Sequence, residues 1–296
     1  MTAEERLIAV YLLICELFPR IAGEAERFSP NQKPPSFSDE EVLTIYIFGI
    51  LQRLFQVKDI HRYTHEHWCS WFPTLPKYEG YNHRLTRLAS VLPHLLEHLQ
   101  ERLPEKNIVH EVMLIDSMPI MLARASRSES ATVAREIADK GYCASKDMYY
   151  HGIKLHALLS RGKQCLPRLT ACEFSKASEH DVRSIRRQLL HVQNCSVYAD
   201  KAYFYHHLQS ILEQRSITVY AVQPCGRGKE ALRLFEQVRN TTISRMRQPI
   251  ESWFSWLQRL THIEQAFTVR STKGLLIHAF GRLTAALVAL ICNFNS

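Results

Sequence analysis

The sequence predicts an α/β protein, a mixed sheet flanked by helices and preceded by an all-helical region. Three observations predict it. The first hundred residues read as helices opened by capping boxes. After "LPEKN" the pattern changes to a short buried run, "EVMLID", and an alternating one, "YHGIKLHALLS". From there the order is strand, strand, strand, helix, strand, helix, strand, helix, helix.

The helical region starts with Thr2 and Glu5 as a capping box, and "FSDEEVLTIYIFGILQ" repeats the device with Ser38 and Glu41, Phe37 and Val42 serving as a hydrophobic staple. The proline-rich "FSPNQKPPSF" connects the two helices. A third helix is expected over "VKDIHRYTHEHWCSWF" and a fourth over "NHRLTRLASVLPHLLEHLQERL", capped by Asn82. In the third, His61 and His65 are one turn apart, but His67 lies roughly 200° around the helix from His65, so capping, packing or phosphate contact is a better reading than zinc.

"EVMLID" is read as a strand ending at Asp116, with Pro119 closing its pairing. In "YHGIKLHALLS", Ile153, Leu155, Ala157 and Leu159 share one face, with Lys154, His156 and Ser160 on the other. "RGKQ" is a turn and "PRLTACEF" the returning partner. Ser178 and Asp181 are expected to cap the helix "HDVRSIRRQLLHV". Next come strand "CSVYAD", helix "FYHHLQSILEQR", strand "ITVYAV", and helices around "PIESWFSWLQRL" and from Gly274 to Asn293. The basic, serine-rich insert at about 121–148 has no clear pattern. The domain reading is a helical region over 1–106 and a second domain, with this insert, over 107–296.

The 296 residues are 46% hydrophobic, a core-forming composition that excludes general disorder. With 37 Lys and Arg against 29 Asp and Glu, the net charge of +8 favours a polyanionic partner. Eight cysteines with no C-x-x-C pair read as reduced thiols of a cytoplasmic protein, and the acidic start "MTAEER" is unlike a signal peptide. The C-terminal "GLLIHAFGRLTAALVALICNF" has Arg282 in its middle, which argues for a core helix and against a membrane span.

Two strands end in aspartate, Asp116 and Asp200. Side by side in a mixed sheet, their carboxylates would emerge together and repel, a conflict that a divalent cation removes. Mg²⁺ takes one or two carboxylates and keeps water or phosphate oxygens otherwise, which suits phosphoryl transfer by a basic protein. Two ions about 3.5–4 Å apart can activate the attacking oxygen and stabilise the leaving one. Glu251 is the best-placed third acid, because Ile250, Phe254, Leu257 and Leu260 form a core stripe while Glu251, Ser255 and Gln258 share the adjacent polar face. Pro249 either opens that helix or kinks a longer one.

The set "IDSMP", "YYHGIKLH", "ASEHD", "ADKAY" and "RQPIESWFSWL" resembles the DDE transposases of bacterial insertion sequences, most closely the family numbered nine-eight-two. The resemblance implies a ribonuclease-H-like core, with the first aspartate on the first strand, the second after the fourth, and the glutamate on a later helix. Asp116, Asp200 and Glu251 fall on those places. It also implies an arginine four residues before the glutamate, where Arg247 stands; the family's tyrosine and lysine places hold Ser244 and Gln258, with Arg259 beside the latter. Ala202 stands where the family has glycine after "DK".

The activity that the resemblance implies is metal-dependent cleavage at an element's ends, then attack of the freed 3′-hydroxyl on target DNA. Asp116, Asp200 and Glu251 would bind Mg²⁺ or Mn²⁺, two ions in all. Lys154, Lys201, Arg247 and Arg259 would position phosphates, and Arg84 and Arg87 in "HRLTRL" would contact DNA from a recognition helix. The partners implied are double-stranded DNA, both terminal repeats and target, and a second copy of the chain; no membrane partner is expected. The alternatives are a nuclease or resolvase on the same core, and an inactive domesticated DNA-binding protein.

Overall fold

The computed structural model describes residues 1–25, 35–200, 209–222 and 230–294. Two compact units emerge. One comprises residues 1–104, 132–136 and 257–296, the other residues 105–131 and 137–256. A single long helix, Glu230–Thr261, carries the chain from the second unit into the first.

The helical unit begins with α1 (Ala3–Ile21), whose Thr2–Glu5 capping box forms as expected. α2 (Asp39–Leu51) opens on the Ser38–Glu41 box and is buried nearly all round. α3 (Val57–His67) comes next, and His61 is engaged by the Pro76 carbonyl at 2.9 Å and by the rings of Tyr78 and Tyr81, a packing role. The expected fourth helix is two, α4 (Tyr78–Arg87) and α5 (Val91–Glu101). Pro93 explains the break: it has no N–H for the Ala89 carbonyl, and its ring would collide with it. α4 starts earlier than Asn82, from Lys77 as N-cap.

The helix α10 (Thr272–Ile291) packs against α5 and α2 within this unit. It is long and apolar enough to cross a membrane, yet 72% of its most apolar window is buried in the protein. Arg282 is only 4% exposed. Its guanidinium donates to the carbonyls of Thr261 and Phe55, the latter at 2.7 Å, and to His278 Nδ1 at 3.1 Å. A buried cation so satisfied is compatible with a protein core.

The second unit is built on a six-stranded mixed sheet. Its strands are β1 (Ile108–Arg124), β2 (Asp139–Cys143), β3 (Met148–Gly162), β4 (Arg168–Lys176), β5 (Cys195–Ala199) and β6 (Ile217–Ala221). The path runs β2-β3-β1-β5-β6, with β4 also paired to β3. β1–β3 and β3–β4 are antiparallel, whereas β1–β5 and β5–β6 are parallel. Helices α6 (Arg127–Ser130), α7 (Asp181–Gln188), α8 (Gln209–Gln214) and α9 (Glu230–Thr261) complete the α/β architecture that the sequence predicts.

Two local expectations are corrected. β1 does not end at Asp116 but runs on through Pro119, which pairs with Lys154. Among the described residues β5 pairs with β1 only at Val112–Leu114, so this later part of β1 borders no parallel neighbour there, and proline is tolerated at such an edge. The Ser178–Asp181 capping box does not form: α7 has His180 as N-cap, and Ser178 instead bonds through its backbone N–H and hydroxyl to Asp139. The insert supplies the end of β1, α6 and the edge strand β2. Close packing between β1 and β3 demands glycine, since a Cβ at Gly152 would stand 2.0 Å from the Ile120 carbonyl oxygen.

One face of the sheet forms a core of Met113, Ile115, Leu158, Val197 and Ala199 beneath Ile185 and Leu189. Alternation along β1 and β5 sends Leu114, Asp116 and Tyr198 to the opposite face. The sequence of β1 therefore gives a carboxylate to a surface whose neighbouring positions are apolar.

Candidate active site

Asp116 sits in the middle of β1, opposite Ala157 of β3. On the other side, Leu114 pairs with Tyr198 of the parallel β5. Two residues further along each chain stand Asp116 and Asp200, so parallel register delivers both acids to one level. Asp200 is the first residue past β5, where the strand has just let go of the ladder.

Arg247 of α9 joins them. Its Nη2 donates to Asp116 Oδ2 at 2.7 Å, and its Nη1 lies 3.7 Å from Asp200 Oδ1. The arginine side chain is 9% exposed, against 23% for Asp116 and 42% for Asp200, so this cation is held out of water beside the deeper acid. Its Nε is buried without a partner among the described residues. Asp116 Oδ1 also accepts the Ser117 backbone N–H at 2.8 Å.

Burial nevertheless prevails at Asp116. Its carboxyl is pushed up to about 6, first by burial and then by the negative charges of Asp200 and Asp181, while Arg247 and the Ser117 N–H pull it down. A buried oxygen donor whose charge one arginine does not fully offset, set beside a second carboxylate at the same level, is a donor set that fits a hard divalent cation.

The third predicted acid is placed differently. Glu251 lies exposed on α9, one turn beyond Arg247. Among the described residues no group of three or more His, Cys, Asp or Glu is assembled that could hold a metal ion. Pro249 lies inside α9, so the longer-helix reading holds.

The predicted basic residues scatter. Lys154 stands three positions from Asp116 in register, on the other face of the sheet, with Nζ at 3.0 Å from Asp181 Oδ1 and 2.9 Å from the Glu179 carbonyl. Asp181, read from sequence as a cap, is thus an ion-pair partner. Buried His156 adjoins it, bonded to Ser175 at 2.8 Å and lowered by burial to about 4, hence neutral. Arg84 ties α4 to the start of α2 through Asp39 at 2.6 Å and the Phe37 carbonyl. Arg87 is half-buried in the last turn of α4. Arg259 is exposed in the helical unit, and its carbonyl accepts from Arg53. Lys201 lies outside the described residues. One residue that sequence reasoning misses is Arg161, which reads as part of the turn "RGKQ"; continuing the alternation of Ala157 and Leu159 places it on the acids' face.

Leaving aside the edge strand from the insert, the first aspartate lies on the first strand and the second just after the fourth. Fold and site together define an α/β protein of the ribonuclease-H-like class with one acid on a strand and a second just past the parallel strand beside it. A family model described as "Transposase DDE domain" matches residues 108–288, more than half of the chain, and the chain belongs to this family. No curated protein and no solved structure matches it. Membership makes the protein a transposase-type polynucleotidyl transferase, of a family that acts on DNA and uses divalent metals.

Proposed function

We propose that the protein is the transposase of a bacterial insertion sequence of the nine-eight-two type. In this reading it hydrolyses a phosphodiester at each element end and passes the freed 3′-hydroxyl to target DNA. The observation that carries the reading is the Asp116–Arg247–Asp200 cluster, two acids at one level, one on β1 and one just past its parallel neighbour β5, lying inside the region that matches the family.

Asp116 and Asp200 would hold Mg²⁺ or Mn²⁺, and Glu251 would supply the further carboxylate for a second ion. When bound, such ions supply a more nucleophilic oxygen and stabilisation of the departing one. The chain's own part is positional. The sheet fixes the two carboxylates, and Arg247 keeps them together against mutual repulsion. Facing a phosphate, the same guanidinium supplies bidentate donors, and Lys201 and Arg259 add positive charge along the DNA. No covalent link between protein and DNA is needed, since positioning and electrostatics suffice for this chemistry. The helical region, with Arg84 and Arg87, would bind the element ends. The working species would be a homodimer on DNA, in the cytoplasm.

The test is incubation with Mn²⁺ and linear DNA carrying the element's own ends, with a supercoiled plasmid as target. Joined products with free 5′ ends support the reading. Cleavage without joining replaces it with a nuclease, and neither product with a DNA-bound protein replaces it with an inactive binder.

A further inference from the structure

A second feature lies on the acids' face of the sheet. β1 and β3 lose register near their other end: Val109 pairs with Arg161, yet Met113 pairs with the adjacent Ser160. The extra residues of β1 bulge, and bulges often re-aim chain beside functional sites. Here the bulge borders a cavity of about 800 Å³, whose lining includes Asn107, Val109, Val112, Arg161 and Lys163. The turn is fixed by the Lys163 N–H donating to the Asn107 carbonyl at 2.8 Å.

Arg161 is partly buried, and its Nη1 bonds to the Met246 sulfur at 3.0 Å. A thioether is a weak acceptor with no charge. Among the described residues no carboxylate pairs with Arg161, so its positive charge faces the cavity without a paired anion. Lys163, exposed on the same rim, adds to the positive field.

Two observations tie the cavity to the acids. Met246 and Arg247 are successive residues of α9, and they touch Arg161 and Asp116 respectively. Val112 of the cavity and Asp116 are four residues apart on one strand face, about 13 Å. Between them, opposite Leu114, lies the stacked pair Tyr198–Tyr220, with ring centroids 5.1 Å apart. Negative charge is thus concentrated where a metal would sit, and uncompensated positive charge a short distance along the same face.

We propose that this cavity is a phosphate subsite, in which Arg161, assisted by Lys163, grips a backbone phosphate of the DNA strand whose scissile bond lies at Asp116 and Asp200. The inference rests on the reading of the chain as a DNA-cleaving protein. Arg161 suits the role because its planar donors match phosphate oxygens and Met246 already orients it.

The test is the salt dependence of binding to a fluorescein-labelled duplex, measured by anisotropy in EDTA so that metal chemistry plays no part. Loss of one phosphate contact lowers the slope of log K against log salt by about 0.9. Arg161→Gln is expected to give that loss, and Lys163→Gln, on the exposed turn, a smaller one in the same direction. Arg186→Gln, which removes an exposed charge from α7, leaves the slope unchanged. A wild-type slope in both Arg161→Gln and Lys163→Gln, with circular dichroism intact, overturns the proposal while leaving the DNA-cleaving reading standing. Absence of any wild-type binding overturns both. Deoxyadenosine monophosphate supplies a second arm: if its binding depends on Arg161 but the DNA slope does not, the cavity is a small-anion site and the proposal is wrong.

Discussion

Asp116→Asn isolates the electrostatic tension at the centre of the site. The wild-type carboxyl is raised from 3.8 to about 6, so the folded protein binds this proton more tightly than the unfolded chain does. The stability linked to the group is therefore fully present below the unfolded value and is lost as pH rises from there through about 6. A shift of about two units corresponds to about 3 kcal/mol at alkaline pH. Asparagine never ionises, keeps an oxygen for Arg247, and escapes this loss. In EDTA, urea denaturation should find the variant more stable than wild type by up to about 3 kcal/mol at pH 8, and by only about 1 kcal/mol at pH 4.5. Millimolar Mg²⁺ at pH 8 should narrow the difference by stabilising wild type alone. A difference that is the same at both pH values, or a wild type more stable than the variant at pH 8, would refute the reasoning.

Other perturbations separate chemistry from packing. Glu251→Gln removes an exposed carboxylate, so urea midpoints should not change, while Mn²⁺-dependent cleavage should fall by more than about a hundredfold; cleavage within twofold of wild type moves the third acid elsewhere. Arg282→Met orphans the Thr261 and Phe55 carbonyls in the helical unit and should cost about 3 kcal/mol in urea denaturation. A cost below about 1 kcal/mol would show that water reaches those carbonyls.

Parts of this architecture are legible in the sequence, and the rest is hidden for physical reasons. β5 and Asp200 are readable because "CSVYAD" is a short alternating run with the acid directly after it. β1 is not, since Asp116, Ser117 and Pro119 resemble a strand terminus. Only the long β3 opposite, which pairs with them from Tyr150 to Gly162, keeps the chain extended. Arg247 is found through the family resemblance, as a phosphate binder. That it bridges both aspartates depends on how α9 lies over the sheet, which no local pattern encodes. The same is true of α10: its length and Arg282 point to a core helix, but its packing against α5 and α2 is a tertiary fact. Asp181 shows the converse error. A capping-box spacing is present, yet Lys154 and Asp139 offer Asp181 and Ser178 stronger partners.

The central claim is that Asp116 and Asp200 would together hold the divalent cation on which DNA cleavage depends. The most direct measurement is nicking of supercoiled plasmid in Mn²⁺ by wild type, Asp116→Asn and Asp200→Asn, with DNA affinity of each determined in EDTA. The account predicts that each amide abolishes nicking while affinity stays within a few-fold of wild type. Nicking at the wild-type rate by either variant would contradict it.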